Sequence, residues 1–197
     1  MNLTPIFFLE SLGLGVGLAM DAFSVSLANG MNDRCMRRRK ALLVAGIFAI
    51  FQGIMPLIGY TLVNTVVKLF ESFTYAIPWI ALGLLTFIGI KMIIDGCKKS
   101  DDSCPVGLGI GALLVQAVAT SIDALSVGLN LAEYKIPEAF ASAGIIALVT
   151  FIICFAGVNI GKAFGNKLSS KSQIFGGVIL ILVGIEIFVT GIIELMK

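Results

Sequence analysis

Along the chain, apolar residues come in six runs of about 20, the length that crosses the roughly 30 Å hydrocarbon core of a bilayer as a helix. The runs predict helices at about residues 6–29, 42–65, 76–96, 107–131, 138–160 and 174–194. Pro78, Pro105 and Pro137 stand near the predicted starts, where a missing N–H does no harm. The first run contains Asp21, lacks a preceding basic stretch and has no small-residue cleavage site, so it is expected to be a retained span.

Composition agrees with that pattern. Of 197 residues, 58% are apolar and 13% charged, and the mean hydropathy is +1.02. A soluble domain would carry about 25% charge. Six spans leave only short connections and no space for a soluble catalytic domain. The expected fold class is all-α: one polytopic transmembrane domain over residues 1–197 with six membrane-spanning helices.

Of the 14 Lys and Arg residues, ten fall in connections 1–2 (Arg34, Arg37, Arg38, Arg39, Lys40), 3–4 (Lys98, Lys99) and 5–6 (Lys162, Lys167, Lys171). The positive-inside rule puts these connections in the cytoplasm and both termini outside. The Arg37–Lys40 cluster is first a topology signal and second a contact for anionic lipid. A net charge of +2 gives no reason to expect a nucleic-acid partner. Histidine is absent, which excludes imidazole zinc sites and Ser-His-Asp triads, and no enzyme activity or resident cofactor is expected. Cys35, Cys97, Cys104 and Cys154 form no C-x-x-C pair, and three of them fall in cytosolic connections. Reduced thiols are expected.

The chain also repeats itself. A shift of 102 positions aligns Asp21-Ala22-Phe23-Ser24-Val25 with Asp123-Ala124-Leu125-Ser126-Val127, and a shift of 95 aligns Gly89-Ile90-Lys91 with Gly184-Ile185-Glu186. Two three-helix units, about 1–99 and 104–197, follow. Because three is odd, the second unit must enter the membrane from the opposite side, as in secondary transporters with inverted-topology repeats.

Asp21 and Asp123 lie about 15 residues into their spans, within about two turns of the bilayer centre. A carboxylate there costs about 2.5–3.5 kcal/mol or more, so it should face the bundle interior and serve a function. Helical spacing groups Gly13, Gly17, Asp21, Ser24 and Ala28 into a small-residue seam. On the fourth span Gln116, Thr120, Asp123, Ser126 and Asn130 share a polar face. The alternative for the Ser and Thr hydroxyls is bonding back to their own helix carbonyls. Gln52 precedes Pro56 by four residues, so its carbonyl lacks an N–H partner and its amide stands near mid-membrane. These ligands are all oxygens, which suits hard divalent ions such as Mg²⁺, Ca²⁺ or Mn²⁺; a monovalent cation or a proton relay also fits two acids. Lys91 and Asp95, one turn apart on the third span, are expected to pair or to snorkel. Glu186 is a candidate for an exit path or a proton route.

The segments MDAFSVS (20–26), Gln52 with MPLIGY (55–60), GIKMIIDG (89–96) and ATSIDALSVG (119–128) together resemble the MntP-type manganese efflux pumps, a six-helix group similar in plan to the LysE-type exporters. The resemblance covers essentially the whole chain, in order. It implies a bacterial inner-membrane location and export of Mn²⁺, with the family's intramembrane aspartates falling on Asp21 and Asp123. Its second-helix polar position falls on Gln52, and its basic and acidic pair on Lys91 and Asp95. Some family members have an acid where Gln52 stands and an amide where Glu186 stands. The rivals are a LysE-like amino-acid exporter, a passive cation channel and an intramembrane aspartyl protease; the last is expected to carry a GxGD-like motif, whereas Leu-Ala-Met precedes Asp21 and Thr-Ser-Ile precedes Asp123. Export is expected to run by alternating access with protons as the coupling partner.

Overall fold

The computed structural model describes residues 5–33, 35–63, 79, 82–83, 85–94, 97, 109–131, 135–168 and 171–195. All regular structure among them is helical: α1 (Pro5–Asn32), α2 (Arg38–Val63), α3 (Leu85–Ile94), α4 (Ile110–Thr120), α5 (Ile122–Leu131), α6 (Ile136–Leu168) and α7 (Lys171–Leu195). Among the described residues α1, α2 and α6 contain stretches long and apolar enough to cross a membrane. The outer surface is apolar, with residues such as Leu9, Phe87 and Leu148 more than half exposed. Such a surface suits lipid and not water.

Local chemistry sets the helix ends. Pro5 opens α1, where its fixed φ suits the first turn. At the other end of α1 the Asp33 N–H donates to the Asn29 carbonyl, and the Asp33 carboxylate accepts from Lys40 Nζ at 2.8 Å, closing a tight turn into α2. Pro137 lies in the first turn of α6, where the Glu138 carboxylate reaches back to accept the Lys135 N–H at 3.2 Å. Lys162, far along α6, donates to the Met36 carbonyl and ties this helix to the α1–α2 turn.

α6 is the central beam: it packs most extensively against α1 and also against α2. At 33 residues it is about 50 Å long, against about 30 Å of hydrocarbon. Two crossings bring backbones together at paired glycines. A Cβ on Gly30 would come within 2.3 Å of the Val158 carbonyl oxygen, and one on Gly161 within 2.1 Å of that of Leu27. Between α2 and α5, a Cβ on Gly59 would meet the Leu125 oxygen at 2.3 Å and one on Gly128 the Pro56 oxygen at 2.3 Å. Val158 and Gly161 stand 102 positions after Pro56 and Gly59, the same shift that aligns the two aspartate motifs.

Three expectations need correction. The fourth span is not one helix over 107–131: it breaks at Ser121, for reasons given below. The seam through Gly13 and Gly17 is not the packed one, since both glycines face open space; the buried line is Ser11, Gly15, Leu18, Ala22 and Val25, with Gly15 against Ile146 and Val149 of α6. The bulk of α6 selects that face, and spacing of small residues alone does not reveal it. Cys35, expected as a reduced thiol, is disulfide-bonded, while among the described residues Cys97 and Cys154 are free. Linear spacing detects only local pairs, and folding brings distant connections together.

Candidate functional site

Gln52, fully buried on α2, is where the two halves of the chain meet. Its Nε2 donates to the Leu18 carbonyl of α1 at 2.9 Å, three residues before Asp21. Its Oε1 accepts from Ser121 Oγ at 2.8 Å, two residues before Asp123. One amide therefore positions both aspartate-bearing segments, using a donor and an acceptor that no apolar side chain could supply. α2 runs unbroken through Pro56.

Ser121 is also where the fourth span breaks. Its backbone (φ −107°, ψ 7°) leaves the helix, and its N–H turns to the Val118 oxygen, three residues back. The hydroxyl of Thr120 bonds back to the oxygens of Gln116 (3.0 Å) and Ala117 (3.4 Å), competing for carbonyls that the ladder would use. With the Ser121 side chain drawn to Gln52, the helix stops and restarts one residue later. Asp123 falls in the first turn of α5, exposed, its Oδ1 accepting the Ala124 N–H at 2.8 Å. Broken helices at such positions are how membrane transporters present polar groups to a substrate.

Asp21 is half-buried on the continuous α1, and Glu186 is exposed on α7, which packs against α1. Ser24 Oγ bonds back to the Met20 oxygen at 3.1 Å, the local alternative for that hydroxyl. Gln116 is buried on α4 and accepts from Asn29 Nδ2 of α1 at 2.8 Å. Lys91 is exposed on α3. Asp95 and the side chains of Ser126 and Asn130 lie outside the described residues.

The expected residues thus fall into two groups. Gln52 joins the segments of Asp21 and Asp123, and Gln116 joins α4 to α1. Ser24 and Thr120 turn to their own helices. Among the described residues α1 packs mainly on α6 and α7 and α5 mainly on α2, and Gln52 bridges the two aspartate segments. Among the described residues, no group of three or more Asp, Glu or Cys side chains is placed to hold a metal ion. Ser121 and Asn29 are partners in these polar contacts that sequence reasoning missed. Ser121 stands inside ATSIDALSVG and Asn29 three residues after DAFSVS, and their polarity in an apolar span was the signal available.

A bundle of apolar helices wrapped around a buried amide bridge between two acid-bearing segments defines a helical integral membrane protein with a polar site in its interior. Residues 35–188 match the family described as "Putative manganese efflux pump". The chain is 42% identical over 182 residues to the "Putative manganese efflux pump MntP" of Ruminiclostridium cellulolyticum, covering 91% of this chain and 94% of that one. It is 40% identical over 188 residues to "Putative manganese efflux pump MntP 2" of Clostridium botulinum strain Langeland, with 89% and 91% covered. With the "Putative manganese efflux pump MntP" of Crocosphaera subtropica it shares 42% identity over 182 residues, 92% and 95% of the two chains. No solved structure matches. The chain belongs to this manganese efflux pump family.

Proposed function

We propose that this protein is a secondary transporter that exports Mn²⁺ across the bacterial cytoplasmic membrane by alternating access, with protons returning on the same carboxylates. Asp21 and Asp123 supply the charge for the ion. Gln52, Gln116, Thr120, Ser24, Ser126 and Asn130 supply neutral oxygens along its path, and Glu186, Lys91 and Asp95 serve proton movement and gating. The chain is one domain of six spans in two inverted three-helix repeats, with both termini outside.

The observation that carries this reading is the double hydrogen bond of Gln52, which ties the segment before Asp21 to the segment before Asp123. Membership of the manganese efflux pump family supports the ion. The glycine crossings that recur at a shift of 102 on α2 and α6 support the repeat. Two acids neutralise one divalent ion, and a hard cation must bind well enough to shed water and still leave. Moving a double charge outward against an inside-negative potential costs about 4.6 kcal/mol per 100 mV, which exchange for two protons cancels.

The test is Mn²⁺ flux in proteoliposomes carrying the full chain, with internal pH followed at the same time. Mn²⁺ movement with opposite proton movement is the expected result. Asp21→Asn and Asp123→Asn should each cut the flux by about a hundredfold, the equivalent of losing about 3 kcal/mol of ion binding. Flux without any pH change removes the proton coupling, and variants that match the parent remove the site.

A further inference from the structure

Asn29 and Gln116, two fully buried primary amides, meet between α1 and α4 through one hydrogen bond, Asn29 Nδ2 to Gln116 Oε1 at 2.8 Å. Among the described residues, Asn29 Oδ1 and Gln116 Nε2 have no hydrogen-bond partner. Turning both amides over reverses the bond and again strands one oxygen and one NH₂, so the pair cannot satisfy itself. A stranded buried polar atom costs about 1–3 kcal/mol, whereas a matched apolar pair costs nearly nothing. Packing alone does not account for these amides.

Their position suggests what does. Contacts between α1 and α4 run in opposite senses along the two chains: Asn29 meets Gln116, while Leu18 reaches Ser121 through Gln52, so the helices are antiparallel. Asn29 stands eight residues after Asp21 and Gln116 seven before Asp123, displacements of about 12 and 10 Å toward the α1–α2 turn. The positions related by the shift of 102 are Leu14 and Leu131, so an amide pair is built on one side of the aspartates only.

We infer that Asn29 and Gln116 form a second, uncharged station for the transported divalent cation, on the α1–α2 side of the aspartates, where the ion displaces the amide–amide hydrogen bond and is held by the two amide oxygens. The inference rests on the transporter reading above. Neutral oxygens hold a hard cation more weakly than carboxylates do, so the ion passes on to Asp21 and Asp123, and the amides close again behind it.

The experiment compares the full-length parent with Asn29→Leu, Gln116→Leu and Asn29→Asp, using Mn²⁺ alone as the probe. It measures transport kinetics in proteoliposomes and equilibrium Mn²⁺ binding in detergent. Both leucine variants should raise KM about tenfold while equilibrium binding at the aspartates stays within about twofold. Asn29→Asp, which charges the station, should lower KM and kcat together. Leucine variants with the parent's KM overturn the inference, as do variants that lose equilibrium binding along with transport, because the pair would then be a support for the aspartates. If the leucine variants do not fold, the Asn29→Asp variant decides: a KM and kcat equal to the parent's overturn the inference without further measurement. A parent that moves no Mn²⁺ defeats the transporter reading and the inference with it.

Discussion

The two aspartate-bearing segments start from one sequence pattern and arrive at different structures. α1 runs unbroken past Asp21, whereas the second copy is split at Ser121, two residues before Asp123. Asp21 is half-buried and Asp123 exposed. Each segment then crosses a neighbour at a glycine, but Gly30 lies nine residues beyond Asp21 and Gly128 only five beyond Asp123. The difference is one helical turn, about 6 Å along the axis. A repeated motif therefore fixes which helices meet without fixing where along their length they meet, and the break at Ser121 is the place where the second copy departs from the first. The two copies of the motif thus meet their neighbours at two different registers in one molecule.

The sharpest way to break the comparison is at the crossings. Gly161→Leu puts side-chain atoms into the Leu27 backbone and should destabilise the protein by about 3 kcal/mol or more, whereas Gly13→Ala, facing open space, should leave thermal unfolding in detergent close to the parent's. Next comes the bridge. Gln52→Leu removes both hydrogen bonds and strands the Ser121 hydroxyl, for a loss of about 1–3 kcal/mol in the same unfolding assay. The smallest effect sets one serine against the other. Ser121→Ala gives up a bond between helices and strands the buried Gln52 Oε1, and should cost about 1 kcal/mol, while Ser24→Ala gives up only a bond to its own helix and should be neutral within error. Equal costs for the two serines would mean that the bridge contributes no more than a local turn does.

Much of this was readable from the chain. Hydropathy alone placed α1, α2 and α6, because a span without water must satisfy its backbone internally and stay apolar over about 20 residues. The repeat was legible because an intramembrane acid is costly enough to stand out twice. What stayed hidden depends on neighbours. Nothing local distinguishes Gly15, pressed against α6, from Gly13 and Gly17, which face outward. The break at Ser121 arises from Gln52, 69 positions away, competing for a side chain that by itself tolerates a helix. Asn29 acquires meaning only once Gln116 is opposite it, 87 positions away.

The length of α6 has a mechanical consequence. A rod of about 50 Å leaning on both α1 and α2 acts as a lever: tilting it by about 10° about its middle carries its two ends about 4 Å in opposite directions. The end tied through Lys162 to the Met36 carbonyl is also the end that crosses α1 at Gly30 and Gly161, so a tilt of α6 carries α1 and the α1–α2 turn with it while the far end swings the other way.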